Sequence, residues 1–343
     1  MTHLHVRSWF SFGAGASSPA TLAREAARHG QSALALTDTA TLSGAVRHAK
    51  ACREVGLHPV FGATVEVDEA ELVLLCADGE GFANLCDLLT RAHLRAVEEG
   101  NRKHPHLFFD DLREYTNGLF CCSGGHDGAL SRLIAERRWS KARALAGELA
   151  RLFPGRFFVE LVHHERAGDD ERLRHLLELA GTLELPTLAT NAVRHATPPE
   201  YALFDALTCM RLGLSVGQNH PQRPRNARAF LCDEKRLLRL GLPSQSLANS
   251  NAIARECRVD LTPGYVTPPR AMLPDGTDAR AFLKKLCVEG LKARGMATSK
   301  SAKAQLRREV EVVCTLKLEE FFLVVREVVA FARSRGIRCC GRG

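Results

Sequence analysis

The chain has 343 residues, of which 45% are hydrophobic and 25% are charged, a composition typical of folded globular proteins. It contains no run of eighteen apolar residues, and its N-terminus has no basic region followed by an apolar core. Neither a membrane span nor a secretory signal is therefore expected. The 12 cysteines form no CxxC pair, which disfavours a zinc site and favours buried free thiols in a reducing cytoplasm.

The net charge of +8 is unevenly distributed along the chain. Residues 281–343 contain fourteen lysines and arginines against six acidic residues, so this last fifth carries the whole excess of positive charge. A clustered basic segment is typical of phosphate contacts. A solvated helix face rich in lysine and arginine would explain the same charge equally well.

The first two hundred residues alternate short apolar segments with helical patterns. Strands are predicted at 4–6, 33–36, 58–67, 72–76, 118–122, 156–162 and 186–190. Helices are predicted at 20–29, 42–55, 81–97, as a pair within 129–153, and at 169–182. Continuous apolar strands between helices indicate a parallel sheet covered on its outer side, and about seven such units favour a closed barrel. Reactive groups in such barrels lie in the loops after the strands.

The strand pattern stops near Pro198 and Pro199. Helices are predicted at 200–212 and 234–240, and a group of prolines from 263 to 274 indicates a linker. Three further helices are predicted at 278–294, 301–316 and 319–335, of which the last is strongly amphipathic. These changes divide the chain into domains at 1–197, 198–268 and 269–343.

Four segments carry a resemblance to a known family: LHVRS at 4–8, ALALTD at 33–38, LATN at 188–191, and the stretch from EFFLVV at 320–325 to GRG at 341–343. In this order and spacing they resemble the N-terminus of the bacterial C-family DNA polymerases, the polymerase III alpha subunit family. FPGRFFVEL at 153–161 and LTCMRLG at 207–213 resemble its error-prone branch more than its replicative branch. The resemblance covers the whole chain.

The resemblance implies an α/β fold, namely a PHP-type distorted (β/α)7 barrel followed by a helical extension and the beginning of a palm domain. PHP barrels are related to metal-dependent phosphoesterases, in which up to nine His, Asp, Glu and Cys side chains hold divalent metals. The positions that match those ligands here are His5, Arg7, Ala14, Thr39, Thr64, Arg91, Gly125, Ala192 and Arg194. Because His5 alone keeps a metal-binding side chain, we expect no metal and no catalytic residue in this barrel.

The match also defines a degenerate pocket, for which the sequence indicates His5, Arg7, Asp38, Thr39, Thr64 and Arg194. Guanidinium groups at positions 7, 194 and 91 are expected to project into it and repel cations, which leaves a structural plug or an anion site. Asp38 is expected to accept hydrogen bonds from the adjacent loop. Glu160 is expected to pair with an arginine at the barrel mouth.

Two histidine pairs invite a metal interpretation that the sequence does not favour. His163 and His164 are expected to be a surface pair, because adjacent residues on a strand point to opposite faces. His104 and His106 lie in a polar loop, where metal binding would be adventitious.

Gly341, Arg342 and Gly343 resemble the start of the nucleotide-binding loop of the family's palm, where glycines let backbone N–H groups approach the incoming triphosphate. The catalytic carboxylates of that palm have no match here, so we expect this chain alone not to polymerise DNA. Mg²⁺ is expected for the full-length polymerase and not for this chain. The implied partners are the remainder of the polymerase core, DNA and dNTP through the full-length protein, and other damage-tolerance or replisome proteins, with no membrane.

Two alternative functions remain open from the residues. A metal-dependent phosphoesterase acting on nucleotides, pyrophosphate or DNA 3′ ends would share the barrel, and the loss of ligands argues against it. A stand-alone DNA-binding or interaction module would be consistent with the basic segment at 281–343.

Overall fold

The structure, a computed structural model, describes residues 1–102, 104–261, 269–274 and 276–340. These residues form two compact units, 1–262 and 263–343. None of the helices in the described ranges is long and apolar enough to cross a membrane.

The first unit contains a six-stranded sheet whose strands follow one another in chain order. The strands are β1 (Ala33–Leu36), β2 (His58–Val67), β3 (Ala70–Cys76), β4 (Leu119–Cys122), β5 (Phe157–Leu161) and β6 (Thr187–Ala189). β3 runs antiparallel to both β2 and β4, while the other neighbours are parallel. The two antiparallel pairings distort the barrel that an all-parallel alternation predicts.

The predicted strand at 4–6 forms a single β-bridge and not a regular strand, yet it closes the curled sheet. On one side, the N–H groups of Ala35 and Thr37 donate to the carbonyls of His3 and Val6. On the other side, Val193 after β6 donates to His5 and accepts from Arg7. The N-terminal segment therefore takes the place of a seventh strand, which supports the predicted distorted PHP barrel.

Helices surround this sheet as the alternating pattern predicts. They are α1 (Pro19–Arg28), α2 (Ala45–Glu54), α3 (Gly79–Glu98), α4 (Phe109–Leu112), α5 (Ala129–Ala135), α6 (Trp139–Leu152), α7 (Asp169–Thr182), α8 (Tyr201–Leu212), α9 (Glu234–Arg239) and α10 (Ser244–Glu256). α1 begins as expected, because the Ser18 hydroxyl accepts from the Thr21 N–H and Pro19 occupies the first helical position. Most of the outer core lies between these helices and the strands.

The helix α10 was not predicted from the sequence, and it closes one end of the barrel. Its Ile253 and Ala254 join the apolar cluster inside the barrel, which includes Phe120 and Leu188 from the strands. The Ser250 hydroxyl donates to the Ala189 carbonyl of β6. α10 packs against β1 and β6, and His58 at the start of β2 contacts the Cys257 carbonyl directly after this helix.

The second unit contains α11 (Ala279–Ala293), α12 (Lys300–Thr315) and α13 (Glu319–Ser334), close to the predicted bounds. Leu283, Cys314 and Leu323 are its buried apolar side chains among the described residues. The other face of α13 exposes apolar side chains that include Phe321, Val328 and Phe331. The domain boundaries proposed from the sequence at 197 and 268 stay a prediction, and residue 268 lies outside the described residues.

The cysteines match the expected free thiols only in part. Eight are buried and unpaired: Cys52, Cys76, Cys121, Cys122, Cys209, Cys232, Cys257 and Cys314. Burial raises the pKa of the Cys52 thiol to about 12, so it stays protonated as an apolar side chain does. Cys339 and Cys340 are exposed, because they follow the last helix in the basic segment.

Candidate functional site

A cavity of about 380 Å³ opens beside the loops that follow β4, β5 and β6. Its walls come from the N-terminal segment, from the loops after β4, β5 and β6, and from α8 with the loop that follows it. This is the end of a parallel barrel at which loops carry functional side chains. Seven arginines line it: Arg7, Arg166, Arg172, Arg194, Arg211, Arg223 and Arg225.

Arg7 forms a buried ion pair at the wall of this cavity. Its Nη2 lies 2.6 Å from Oε1 of Glu71, and only 6% of the Arg7 side chain is exposed. Burial by itself raises the pKa of Glu71, but the charges of Arg7 and Arg194 outweigh it and lower that pKa to about 2. Glu71 is therefore a permanent carboxylate at neutral pH.

Arg194 belongs to a second buried chain of polar contacts. Its Nη1 donates to Nε2 of His5 at 3.3 Å, and Nδ1 of His5 donates to Oε1 of Glu160 at 2.8 Å. Burial, followed by repulsion from Arg7, lowers the pKa of Arg194 to about 10. The prediction that Glu160 pairs with an arginine is wrong. His5 makes the contact with Glu160, and Arg194 contacts the other nitrogen of the His5 ring.

Asp38 lies in a hydrogen-bond cluster beside the cavity wall. Its carboxylate accepts from the N–H and hydroxyl of Ser8 at 2.7 and 2.9 Å and from the hydroxyl of Ser11 at 2.6 Å. Burial raises its pKa, against the effect of these donors. Thr64 bridges to Thr39 through the backbone, and its hydroxyl donates to the Thr37 carbonyl.

The six residues proposed for the degenerate pocket are thus divided by the tertiary structure. Arg7 and Arg194 line the cavity, and His5 is buried directly behind Arg194. Asp38, Thr39 and Thr64 fix the adjacent loop and are not part of the cavity lining. A functional role for this set stays a prediction.

The expected projection of Arg91 into the pocket is wrong. Arg91 lies on α3 outside the barrel, where it pairs with Asp111 at 3.1 Å and Glu114 at 3.5 Å. A register based on sequence alone could not distinguish the inner from the outer face of this helix. Gly125 and Ala192, by contrast, do line the cavity as their matched positions imply.

The expectation that His163 and His164 form a surface pair is also wrong, since both are buried. They follow β5 and are no longer part of a strand, so the alternation argument does not apply. His163 contacts Asp170, and Nε2 of His164 donates to the Asn191 carbonyl at 2.7 Å. His164 also stacks on His126, and burial lowers its pKa well below the usual value.

Several lining residues were missed by the sequence analysis. Arg166, Asp169 and Arg172 follow β5, and inspection of every loop after a strand would have found them. Glu71 lies at the start of β3, and it reaches this end of the barrel because β3 runs antiparallel to β2. Arg211 lies on α8, which the sequence assigned to a separate helical extension. No sequence pattern around Arg211 indicates that its side chain reaches the cavity.

The side chains of the pocket do not fit a metal cluster. Within the described ranges, no group of three or more His, Cys, Asp or Glu side chains is arranged to hold a metal ion. At His5 both ring nitrogens are engaged, so the one retained ligand position offers no free lone pair. The proposed nucleotide loop of Gly341, Arg342 and Gly343 lies outside the described residues.

Two family models match separate parts of the chain. The PHP domain matches residues 3–164, and the bacterial DNA polymerase III alpha NTPase domain matches residues 281–343. Two solved structures have low similarity. An amidohydrolase from Chromobacterium violaceum with bound SO4 and no metal is 16% identical, with a TM-score of 0.40 over 57% of this chain and 87% of that one. A two-domain protein from Bacteroides vulgatus with a PHP-like domain is 17% identical, with a TM-score of 0.35 over 57% and 52%.

Curated relatives match nearly the whole chain. An error-prone DNA polymerase of Symbiobacterium thermophilum is 38% identical over 99% of this chain and 33% of its own length. An error-prone DNA polymerase of Pseudomonas aeruginosa is 35% identical over 99% of this chain and 31% of its own length. The chain spans about a third of the length of these relatives. Together with the order of the two matched domains, this similarity shows that the chain belongs to the bacterial DNA polymerase III alpha family and corresponds to an N-terminal portion of proteins named error-prone DNA polymerases.

Proposed function

We propose that the barrel unit is a metal-independent structural domain of a DNA polymerase that carries out error-prone synthesis on damaged templates. The observation that carries this proposal is the pair of buried contacts at the matched ligand positions. Arg7, His5 and Arg194 stand at positions that match metal ligands in intact PHP domains, and here they are engaged in the Arg7–Glu71 ion pair and the Arg194–His5–Glu160 chain.

The chemistry of these contacts supports a structural role. A guanidinium stays protonated at physiological pH and has no lone pair for a cation, so Arg7 and Arg194 cannot act as ligands. A divalent ion beside them would also be repelled, because both charges are buried where water screens them poorly. Hydrolysis through a metal-bound hydroxide, which the phosphoesterase alternative requires, has no support from these side chains.

A metal titration tests this proposal. Calorimetric addition of Zn²⁺ and Mn²⁺ should give no stoichiometric tight binding, and EDTA should leave the unfolding midpoint within about 1 °C of its value without chelator. A double variant, His104→Ala with His106→Ala, serves as the control that removes adventitious zinc binding by the exposed loop. One tightly bound metal that persists in this variant, or metal-dependent release of phosphate from a generic ester, would favour the phosphoesterase instead.

The role of the rest of the chain rests on the family. We propose that the polymerase core, DNA, dNTP and Mg²⁺ are partners of the full-length protein, acting in the cytoplasm during DNA damage tolerance and repair. The clustered positive charge of residues 281–343 is consistent with phosphate contacts in that assembly. Primer extension past an abasic site checks the assignment: the full-length polymerase should extend the primer and residues 1–343 alone should not.

A further inference from the structure

The cavity holds more positive charge than its carboxylates can neutralise. Its lining contains seven arginines and three acidic residues, Glu71, Asp127 and Asp169. Arg7 pairs with Glu71, and Arg172 pairs with Asp169 at 2.7 Å. Among the described residues, no carboxylate lies within ion-pair distance of Arg166, Arg194, Arg211 or Arg225. Arg166 and Arg194 are half-buried, whereas Arg211 and Arg225 are exposed at the cavity, and like charges around one cavity repel one another unless an anion joins them.

Two buried N–H groups in this lining lack a protein acceptor. Within the described residues, Nε of Arg7 and Nε of Arg166 make no hydrogen bond, although both atoms are shielded from solvent. The Arg7 side chain is 94% buried, so water gives it little compensation. Leaving a buried donor on a charged group unsatisfied is destabilising, and an oxyanion that accepted from it would remove that cost.

Two of the seven arginines, Arg172 and Arg223, are also held in place before any ligand arrives. Nη1 and Nη2 of Arg172 donate to Asp169 and to the Val162 carbonyl, each at 2.7 Å. Nε and Nη2 of Arg223 donate to the two carboxylate oxygens of Asp205 at 2.9 and 2.5 Å. Fixed guanidinium groups lose little conformational entropy on binding, and their planar N–H pairs suit the oxygens of a phosphate.

We propose that this cavity is a phosphate-binding site, in which arginines from the N-terminal segment, the loop after β5 and α8 together hold a phosphate dianion without any metal. Phosphate matches the excess of positive charge and the unpartnered N–H donors. Burial lowers the pKa of Arg166 and Arg211, because their charged forms lose part of the solvation that water gives them. The site does not depend on whether the chain supports polymerisation, so its failure would leave the proposed structural role intact.

Calorimetry with inorganic phosphate, in metal-free buffer at constant ionic strength, tests the site on the 343-residue chain. We expect one phosphate per chain. Arg166→Gln should weaken binding about tenfold to a hundredfold, since it removes one charge-assisted contact. The control Arg113→Gln, at a side chain that is 58% exposed directly after α4, should leave the affinity unchanged. Absence of binding, or equal losses in both variants, would overturn the site.

A second variant, expected to change the phosphate affinity in the opposite direction, separates phosphate binding from a purely structural role. Glu71→Gln removes the carboxylate that neutralises Arg7, so phosphate should bind roughly tenfold more tightly. A structural defect would weaken binding instead, and the circular dichroism spectrum of each variant shows whether it has folded. Tighter binding supports the site, and weaker binding by a folded Glu71→Gln protein contradicts it.

The source of the phosphate is settled by a second ligand. A deoxynucleoside monophosphate is titrated alongside inorganic phosphate under the same conditions. Binding of inorganic phosphate alone identifies a free phosphate ion as the ligand, whereas equal or tighter binding of the nucleotide identifies a phosphate monoester. Both outcomes support the site, and failure of both ligands to bind overturns it.

Discussion

Replacing Glu71 by alanine should lower the free energy of unfolding of the barrel unit by about 3–5 kcal/mol, because it leaves the buried Arg7 guanidinium without its counter-charge. The Arg7 side chain is only 6% exposed, and its Nε already lacks an acceptor among the described residues. Removing one partner of a buried pair costs far more than the pair contributes, since the remaining charge stays desolvated.

Urea unfolding followed by tryptophan fluorescence measures this loss. Both tryptophans of the chain, Trp9 and Trp139, lie in the first unit, so the signal reports on the barrel. The control is Asp110→Ala, which breaks an exposed pair with Arg113 and should cost less than about 1 kcal/mol. Equal, small losses in the two variants would show that the Arg7–Glu71 pair is not an essential part of the barrel wall.

The second large effect is a loss of stability at mildly acidic pH. Burial lowers the pKa of His48 from 6.5 to about 4, and its Nε2 donates to the Leu34 carbonyl inside the core. Because the folded pKa is below the unfolded one, the unfolded chain binds the proton first. The contribution of neutral His48 to the free energy of unfolding is fully present above pH 6.5 and is lost as the pH falls toward 4. At pH 4.5 the loss amounts to about 2–3 kcal/mol.

Two histidines at the cavity act in the same direction. Burial lowers the pKa of His126 to about 4 and that of His164 well below its usual value. The unfolding midpoint should therefore fall steeply between pH 6.5 and 4.5. His48→Gln should flatten this dependence, while His104→Gln at an exposed position should not. A midpoint that stays constant over this range would contradict the assignment of neutral, buried imidazoles.

The local pattern determined most of the barrel. Strand β2 and helix α7 have the predicted bounds, because continuous apolar runs and a helical period bounded by glycine and acidic residues need no distant information. The whole-chain resemblance, and the arginines at the two positions 7 and 194 that it matches to metal ligands, were likewise readable from the residues. Helix α10 was not predicted, because its serines and asparagines obscure the apolar face that it buries inside the barrel.

What only the tertiary structure decided is which charges meet. Arg7, Glu71 and Arg194 are distant along the chain, and the antiparallel turn of β3 brings Glu71 to the N-terminal segment. Arg211 reaches the same cavity from a helix that the sequence assigned to another domain. The sequence with its family resemblance therefore placed arginines at positions 7 and 194, which match metal ligands of intact PHP domains. The positions of the arginines depend on long-range backbone pairing, which local propensity does not encode, and only the folded chain showed that they gather around one cavity.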